Sequence, residues 1–276
     1  MNKLALDKVL KRALVEDIGN GDITSEAIFT EDHHSKGYLL AKQNMVLAGM
    51  DVFTRVFSLL DERVQVVPLY ADGARISEGE KFAKLTGPTR SLLTGERVAL
   101  NFLQRLSGIA STTSQYVEAC AAHKAVIVDT RKTTPGLRML EKYAVTVGGG
   151  KNHRYGLNSM VMIKDNHIKA AGGIIEAVAK ARTKISPFIK IEVEVENLTQ
   201  IKEALEAGTD IIMLDNMALE MIEESVKIIA GRTLVEVSGN VTEERVADLA
   251  ATGVDIISSG ALTHSVKAAD ISMRLE

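Results

Sequence analysis

The chain has 276 residues, a formal net charge of −3, 46% apolar residues and 25% charged residues, which is long enough to bury a core in one large domain or two. The faintly acidic balance and the lack of tryptophan argue against a general nucleic-acid binder, which needs excess cations and stacking platforms. Cys120 is the single cysteine, so an internal disulfide and a cysteine metal cluster are excluded, and the residue reads as a small hydrophobe on a helix.

The first 17 residues are charged throughout rather than signal-like, and no apolar run reaches the roughly 18–20 residues of a membrane span. The expectation is a soluble cytoplasmic protein. Residues 3–16 carry Leu4, Leu6, Val9, Leu10, Ala13 and Leu14, close to a helical stripe. Glu16–Thr24, EDIGNGDIT, then reads as a turn with capping acids. From Lys36 to Arg90 short β pieces alternate with turn signals around one helical segment, giving a small α+β unit. Ser91 to Ala122 reads as one long helix or a pair, with Gly108 as the break or a close-packing point. Arg105 lies beside the apolar stripe of this helix, where a snorkelling arginine is the plain reading.

From residue 125 the chain becomes rhythmic. Apolar runs AVIVDT, MVMIKD, KIEVEVE, DIIMLD, TLVEVSG and VDIISSG recur, and helical segments follow four of them. That order predicts parallel strands with right-handed crossovers. No G-x-G-x-x-G follows the first strand, so a barrel with fewer than eight strands is preferred to a dinucleotide-binding sheet.

The strand ends are the informative positions, because the carboxyl rim of a parallel α/β fold is where chemistry sits. They carry Arg131 and Lys132, Lys164 and Asp165, Glu194 and Glu196, Asp215 and Asn216, Ser238-Gly239-Asn240, and Ser259-Gly260-Ala261. Capping explains the Ser and Asn residues; it explains Lys164, Glu194 and Asp215 poorly. Between Lys132 and His167 the cations crowd around Gly148–Gly150 with only Glu141 and Asp165 opposing them, which suggests a built anion site whose glycines admit a ligand to the backbone. In KIEVEVE, Glu192, Glu194 and Glu196 share the face opposite Ile191, Val193 and Val195, and Glu236 shares the inward direction. Inward carboxylates need partners; the strand-end lysines and arginines or Mg²⁺ would serve.

This set suits a ligand with several negative groups, held by Arg131, Lys132, His153, Arg154 and Lys164, beside a phosphosugar. Glu194 and Asp215 suit Mg²⁺, sugar hydroxyls or a developing cation, and the two Ser-Gly turns can cradle a phosphate. Schiff-base chemistry at Lys164 is the main competitor.

DTRKT (Asp129–Thr133) with PGLR, then GGGKNHRYGL, IKDNH, EVEVEN, LDN, VSGN and SSGALTH, closely resembles the quinolinate phosphoribosyltransferase family, and EDIGNGDIT and LNFLQRLSGIAS (Leu100–Ser111) extend the likeness over essentially the whole chain. The resemblance implies conversion of quinolinate and phosphoribosyl pyrophosphate to nicotinate mononucleotide, pyrophosphate and CO₂, with Mg²⁺ as cofactor. It implies catalytic roles for Lys132, Lys164, Glu194 and Asp215, with the last two as Mg²⁺ ligands. Arg105, Arg131, Thr133, His153 and Arg154 would hold quinolinate. Ser238, Gly239, Asn240, Ser259, Gly260 and Ala261 would receive the phosphosugar. It further implies a homodimer, with Arg105 given across the interface, and no nucleic-acid or membrane partner. The implied fold is an α/β sandwich over 1–110, an incomplete, roughly six-stranded α/β barrel over 111–265, and a tail, 266–276, that can pack on the sandwich. A paralogue acting on another heteroaromatic acid, or a binding module that keeps only the anion pocket, are the competing readings.

Overall fold

The computed structural model describes all residues, Met1–Glu276. The chain divides into two compact units. The first holds Met1–Ser114, Thr134–Gly149 and Ser265–Glu276; the second holds Gln115–Thr133 and Gly150–His264.

Helix α1 (Lys3–Ile18) starts where the Asn2 side chain accepts the N–H groups of Leu4 and Ala5, and it buries Leu6, Leu10 and Leu14 as the spacing requires. Asp22 caps α2 (Ile23–Ile28) by accepting Ser25 N–H at 3.0 Å, so the acidic turn is a capping device. There follow β1 (His34–Ala41), β2 (Met45–Val46), α3 (Met50–Leu60), β3 (Gln65–Pro68), β4 (Arg75–Ile76) and β5 (Lys81–Pro88). Helix α4 (Thr89–Cys120) is one unbroken run of 32 residues. Gly108 does not interrupt it; a Cβ there would stand 2.2 Å from the Lys267 carbonyl oxygen, so the glycine serves close packing.

The second unit takes up β6 (Val126–Val128), and the chain then returns to the first unit for α5 (Arg138–Val147). After it come β7 (Val161–Ile163), α6 (Asp165–Ala171), α7 (Ile174–Arg182), β8 (Ile191–Val195), α8 (Leu198–Glu206), β9 (Ile211–Asp215), α9 (Leu219–Ile229), β10 (Leu234–Ser238), α10 (Glu243–Ala251), β11 (Ile256–Ser258) and α11 (Ala261–His264). The last strand, β12 (Ile271–Leu275), belongs to the first unit.

In that unit a four-stranded antiparallel sheet runs β12-β1-β5-β3. Phe53, Phe57, Phe82, Leu39 and Leu85 are among its fully buried side chains. The second unit is a six-stranded parallel sheet in the order β6-β11-β10-β9-β8-β7. Strands β6 and β7 stand at its two ends, which makes it an incomplete α/β barrel, as the sequence predicts. Ile211, Ile212, Met213 and Leu214 are all buried, the continuous apolar run of a strand covered on both faces.

The sequence reading carries the second domain as one piece through 111–265, but Thr134–Gly149 lies with the first unit. Polar anchors place it there. Tyr143 donates to Asp72 at 2.6 Å, and Asp72 also accepts the N–H groups of Gly49 (2.7 Å) and Met50 (3.1 Å) at the start of α3. Glu141, fully buried, accepts from Arg105 at 2.8 and 2.5 Å and from Thr134 N–H at 3.1 Å.

Candidate active site

At the carboxyl ends of the parallel strands the second unit encloses a cavity of about 720 Å³. Arg131 and Lys132 reach it from the end of β6, His153 and Arg154 from the loop before β7, and Lys164 from the end of β7. Glu194 on β8, Asp215 at the end of β9, and the turns Ser238–Asn240 and Ser259–Ala261 complete the rim.

The cations are held close enough to repel. The Arg154 guanidinium donates to the Met160 carbonyl at 3.2 Å and meets Met162 Sδ at 3.3 Å. Burial, and then the neighbouring charge of Arg131, pull its pKa below the usual arginine value. An anion entering between the two guanidiniums would be favoured by both charges. Lys164 Nζ pairs with Glu194, whose carboxylate is nearly buried. That pair gives one inward glutamate the strand-end lysine expected of it, and it occupies the Nζ that Schiff-base chemistry would use. The Asp215 carboxylate accepts from Asn216 Nδ2 at 3.1 Å.

Beneath the cations lies a second group. Glu192 and Glu236 are fully buried, as strand alternation predicts. Their partner is neither lysine nor arginine: His153 Nε2 faces Glu192 at 3.2 Å and Glu236 at 3.4 Å. Two effects oppose on this ring. Burial disfavours its cation, the two carboxylates outweigh burial, and together they push the pKa up to about 9. Yet Nδ1 accepts the Arg154 backbone N–H at 2.7 Å, which leaves no room for a second ring proton. The hydrogen bond has a direction fixed by the main chain, so it decides: His153 is neutral, with its proton on Nε2. Burial and the proximity of Glu236 raise the pKa of Glu192. Glu196, third on the same face of the sequence pattern, is solvent-exposed beyond the strand.

The turns are shaped by left-handed backbone. Asn216, Gly239 and Asn240 have φ of 52°, 89° and 47°. A Cβ on Gly239 would come within 2.1 Å of Asn216 Oδ1, which also accepts from Asn240 Nδ2 at 3.1 Å. Gly260 is equally confined, between Lys132 Cδ at 2.9 Å and His264 Cδ2 at 2.8 Å. Ser259 donates its N–H to Val128 O at 3.0 Å and its hydroxyl to Val241 O at 3.3 Å. It builds the turn, and Ser259, Gly260 and Ala261 all line the cavity.

Some expected residues lie elsewhere. Arg105 is in the first unit, bound to Glu141 and to the Thr134 hydroxyl at 2.8 Å. Thr133 is outside the lining; its N–H folds back to the Arg131 carbonyl at 2.9 Å. The glycine run serves packing as well: a Cβ on Gly148 would stand 2.4 Å from the Ala110 carbonyl oxygen of α4. His167 accepts the Lys164 N–H at 3.1 Å and caps α6, and Lys142 is buried on α5. Sequence reasoning missed two residues. Asp129, fully buried, accepts the His153 N–H at 2.9 Å and sets the recognition loop; an aspartate directly after an apolar strand is the available signal. His264 lines the cavity against Gly260, six residues beyond the end of β11.

Comparison with known proteins agrees with this geometry. A family model described as quinolinate phosphoribosyl transferase, N-terminal domain, matches residues 22–107, and one described as its C-terminal domain matches 109–274. A Bacillus subtilis (strain 168) protein named probable nicotinate-nucleotide pyrophosphorylase [carboxylating] is 48% identical over 99% of this chain and 94% of its own length. The quinolinate phosphoribosyltransferase [decarboxylating] 2b of Nicotiana tabacum is 43% identical over 98% of this chain and 82% of its own. The crystal structure of NadC from Streptococcus pyogenes superposes with a TM-score of 0.97 at 48% identity, covering 100% of this chain and 98% of that one.

Proposed function

The chain belongs to the quinolinate phosphoribosyltransferase family, and from that premise we propose that it transfers the phosphoribosyl group of phosphoribosyl pyrophosphate to quinolinate with decarboxylation. The products are nicotinate mononucleotide, pyrophosphate and CO₂, a step of de novo NAD synthesis. The observation that carries the reading is the crowding of Arg131, Lys132, Arg154 and Lys164 around one cavity that also presents Glu194, Asp215 and two glycine turns. A vicinal dicarboxylate is the ligand that relieves the repulsion between Arg131 and Arg154.

In this reading the guanidiniums and Lys132 orient the diacid, with the pyridine nitrogen aimed at the ribose. A bond forms between that nitrogen and the ribose C1 as the bond to pyrophosphate breaks. The sugar carries positive charge in the transition state, and the Glu194 and Asp215 carboxylates stabilise it. Ribosylation leaves the ring nitrogen cationic. The bond from C2 to its carboxylate then breaks, CO₂ departs, the electron pair stays on C2 beside the cationic nitrogen, and a proton takes the vacated position. No general base is needed for that cleavage; the protein's work is orientation and charge. Glu194 and Asp215 are hard oxygen donors facing the cavity, so they fit Mg²⁺. When bound, the ion supplies neutralisation of the pyrophosphate leaving group.

Release of pyrophosphate and CO₂ from quinolinate, phosphoribosyl pyrophosphate and Mg²⁺ tests the assignment; a folded preparation that releases neither refutes it. Chelation with excess EDTA is expected to reduce turnover to background, and added Mg²⁺ to restore it. Gly239→Ala is expected to raise the KM for phosphoribosyl pyrophosphate about tenfold, roughly 1.4 kcal/mol, while the KM for quinolinate stays nearly constant. Steady-state kinetics with each substrate varied in turn checks this. The reading includes a cytoplasmic homodimer. No helix is long and apolar enough to cross a membrane. The reading also includes Arg105 lent to a neighbouring subunit's cavity.

A further inference from the structure

The buried trio on the cavity floor asks for an explanation that substrate binding does not supply. Filling the barrel interior with two glutamates is costly where leucine or valine would pack. None of the four carboxyl oxygens of Glu192 and Glu236 finds a well-directed hydrogen bond; what they face is His153 Nε2, at 3.2 and 3.4 Å. Those spacings also suit a metal ion ringed by the three side chains. The ring excludes that arrangement. A metal needs the Nε2 lone pair, which puts the proton on Nδ1, and Nδ1 already accepts the Arg154 N–H at 2.7 Å. The same contact takes up His153 Nδ1, and Nε2 faces the two buried carboxyl groups. Its own N–H is engaged too, with the buried carboxylate of Asp129 at 2.9 Å.

What the ring does is transmit position. We propose that Glu192 and Glu236 are positioning residues for the dicarboxylate-binding arginine: they hold His153 by its Nε2–H, and His153 Nδ1 holds the Arg154 main chain so that its guanidinium enters the cavity beside Arg131. The inference rests on the quinolinate reading given above. It makes quinolinate affinity, and not phosphosugar affinity, depend on two buried glutamates at the cavity floor.

Glu236→Leu removes the acceptor at nearly the same volume; Glu236→Gln keeps a carbonyl acceptor in place. The Leu variant is expected to raise the KM for quinolinate at least tenfold, with kcat within about threefold and the KM for phosphoribosyl pyrophosphate within about twofold. The Gln variant is expected to restore quinolinate affinity to within about threefold of the parent. A merely structural role would lower thermal stability without separating the two KM values. An unchanged quinolinate KM in folded Glu236→Leu, or an equal rise in both KM values, overturns the proposal. Glu192→Leu is the parallel test. If neither Leu variant folds, the imidazole ¹⁵N shifts of the parent protein decide: a neutral Nε2–H tautomer for His153 supports the relay, and an Nδ1–H tautomer or an imidazolium refutes it. A parent protein inactive with quinolinate sinks the functional reading by itself, while the ¹⁵N spectrum still tests the relay.

Discussion

Replacing Lys164 by alanine is expected to lower kcat/KM by about 10²–10³-fold, the loss that follows removal of one preorganised charge from a transition state, while the melting temperature falls by only a few degrees. The separation follows from where the side chain sits. Lys164 is 44% exposed and Glu194 13%, so the pair contributes to stability at the modest level of a half-exposed ion pair, about 1 kcal/mol. Its electrostatic task is larger, because it adds positive charge where a dianion must enter and it orients a carboxylate that faces the ribose. Glu194 left without its lysine would also attract the leaving group's cation differently, so the loss should fall on both kcat and KM. Steady-state kinetics together with a thermal melt check it. Turnover within threefold of the parent in a well-folded variant would contradict the site assignment.

Much of this site was legible because it depends on strand period. Alternation along KIEVEVE places Glu192 and Glu194 on the inner face, and the same period at Glu236 brings a third carboxylate in. Rim residues follow from strand ends, which is why Lys132, Lys164 and Asp215 meet in one cavity. Partner choice was not legible, because it is tertiary. His153 reaches Glu192 and Glu236 from an irregular loop, whose course is set by the buried Asp129 and has no period to read. Gly108 offered a helix break or a contact, and only the Lys267 carbonyl 2.2 Å from its would-be Cβ chooses between them. The sequence reading keeps the stretch that forms α5 inside the 111–265 domain. Glu141 and Tyr143 find their buried partners in the first unit instead, and those anchors outweigh the repeat.

Arg105 is where carrying a role over by resemblance and reading the geometry diverge most, and its replacement by alanine separates them. Its guanidinium gives Nε and Nη2 to one oxygen of Glu141, at 2.8 and 2.5 Å, and Nη2 also reaches the Thr134 hydroxyl. Glu141 is fully buried and has the Thr134 N–H on its other oxygen. Arg105→Ala therefore strands a buried carboxylate with one remaining N–H. Breaking a buried pair from one side costs about 3–5 kcal/mol; with Arg105 30% exposed, the lower end, about 3 kcal/mol, is the better figure. For a chain of this size that is a fall of roughly 6–12 °C in melting temperature. Replacing both partners, Arg105→Met with Glu141→Leu, should recover most of the loss, because no charge is left buried. An arginine serving chiefly to close a neighbour's cavity behaves differently. Its removal would leave the melt unchanged and raise the KM for quinolinate, and the double replacement would recover nothing. Thermal melts of the single and double variants, set beside their quinolinate KM values, distinguish an arginine that anchors α5 from one that is lent to a partner.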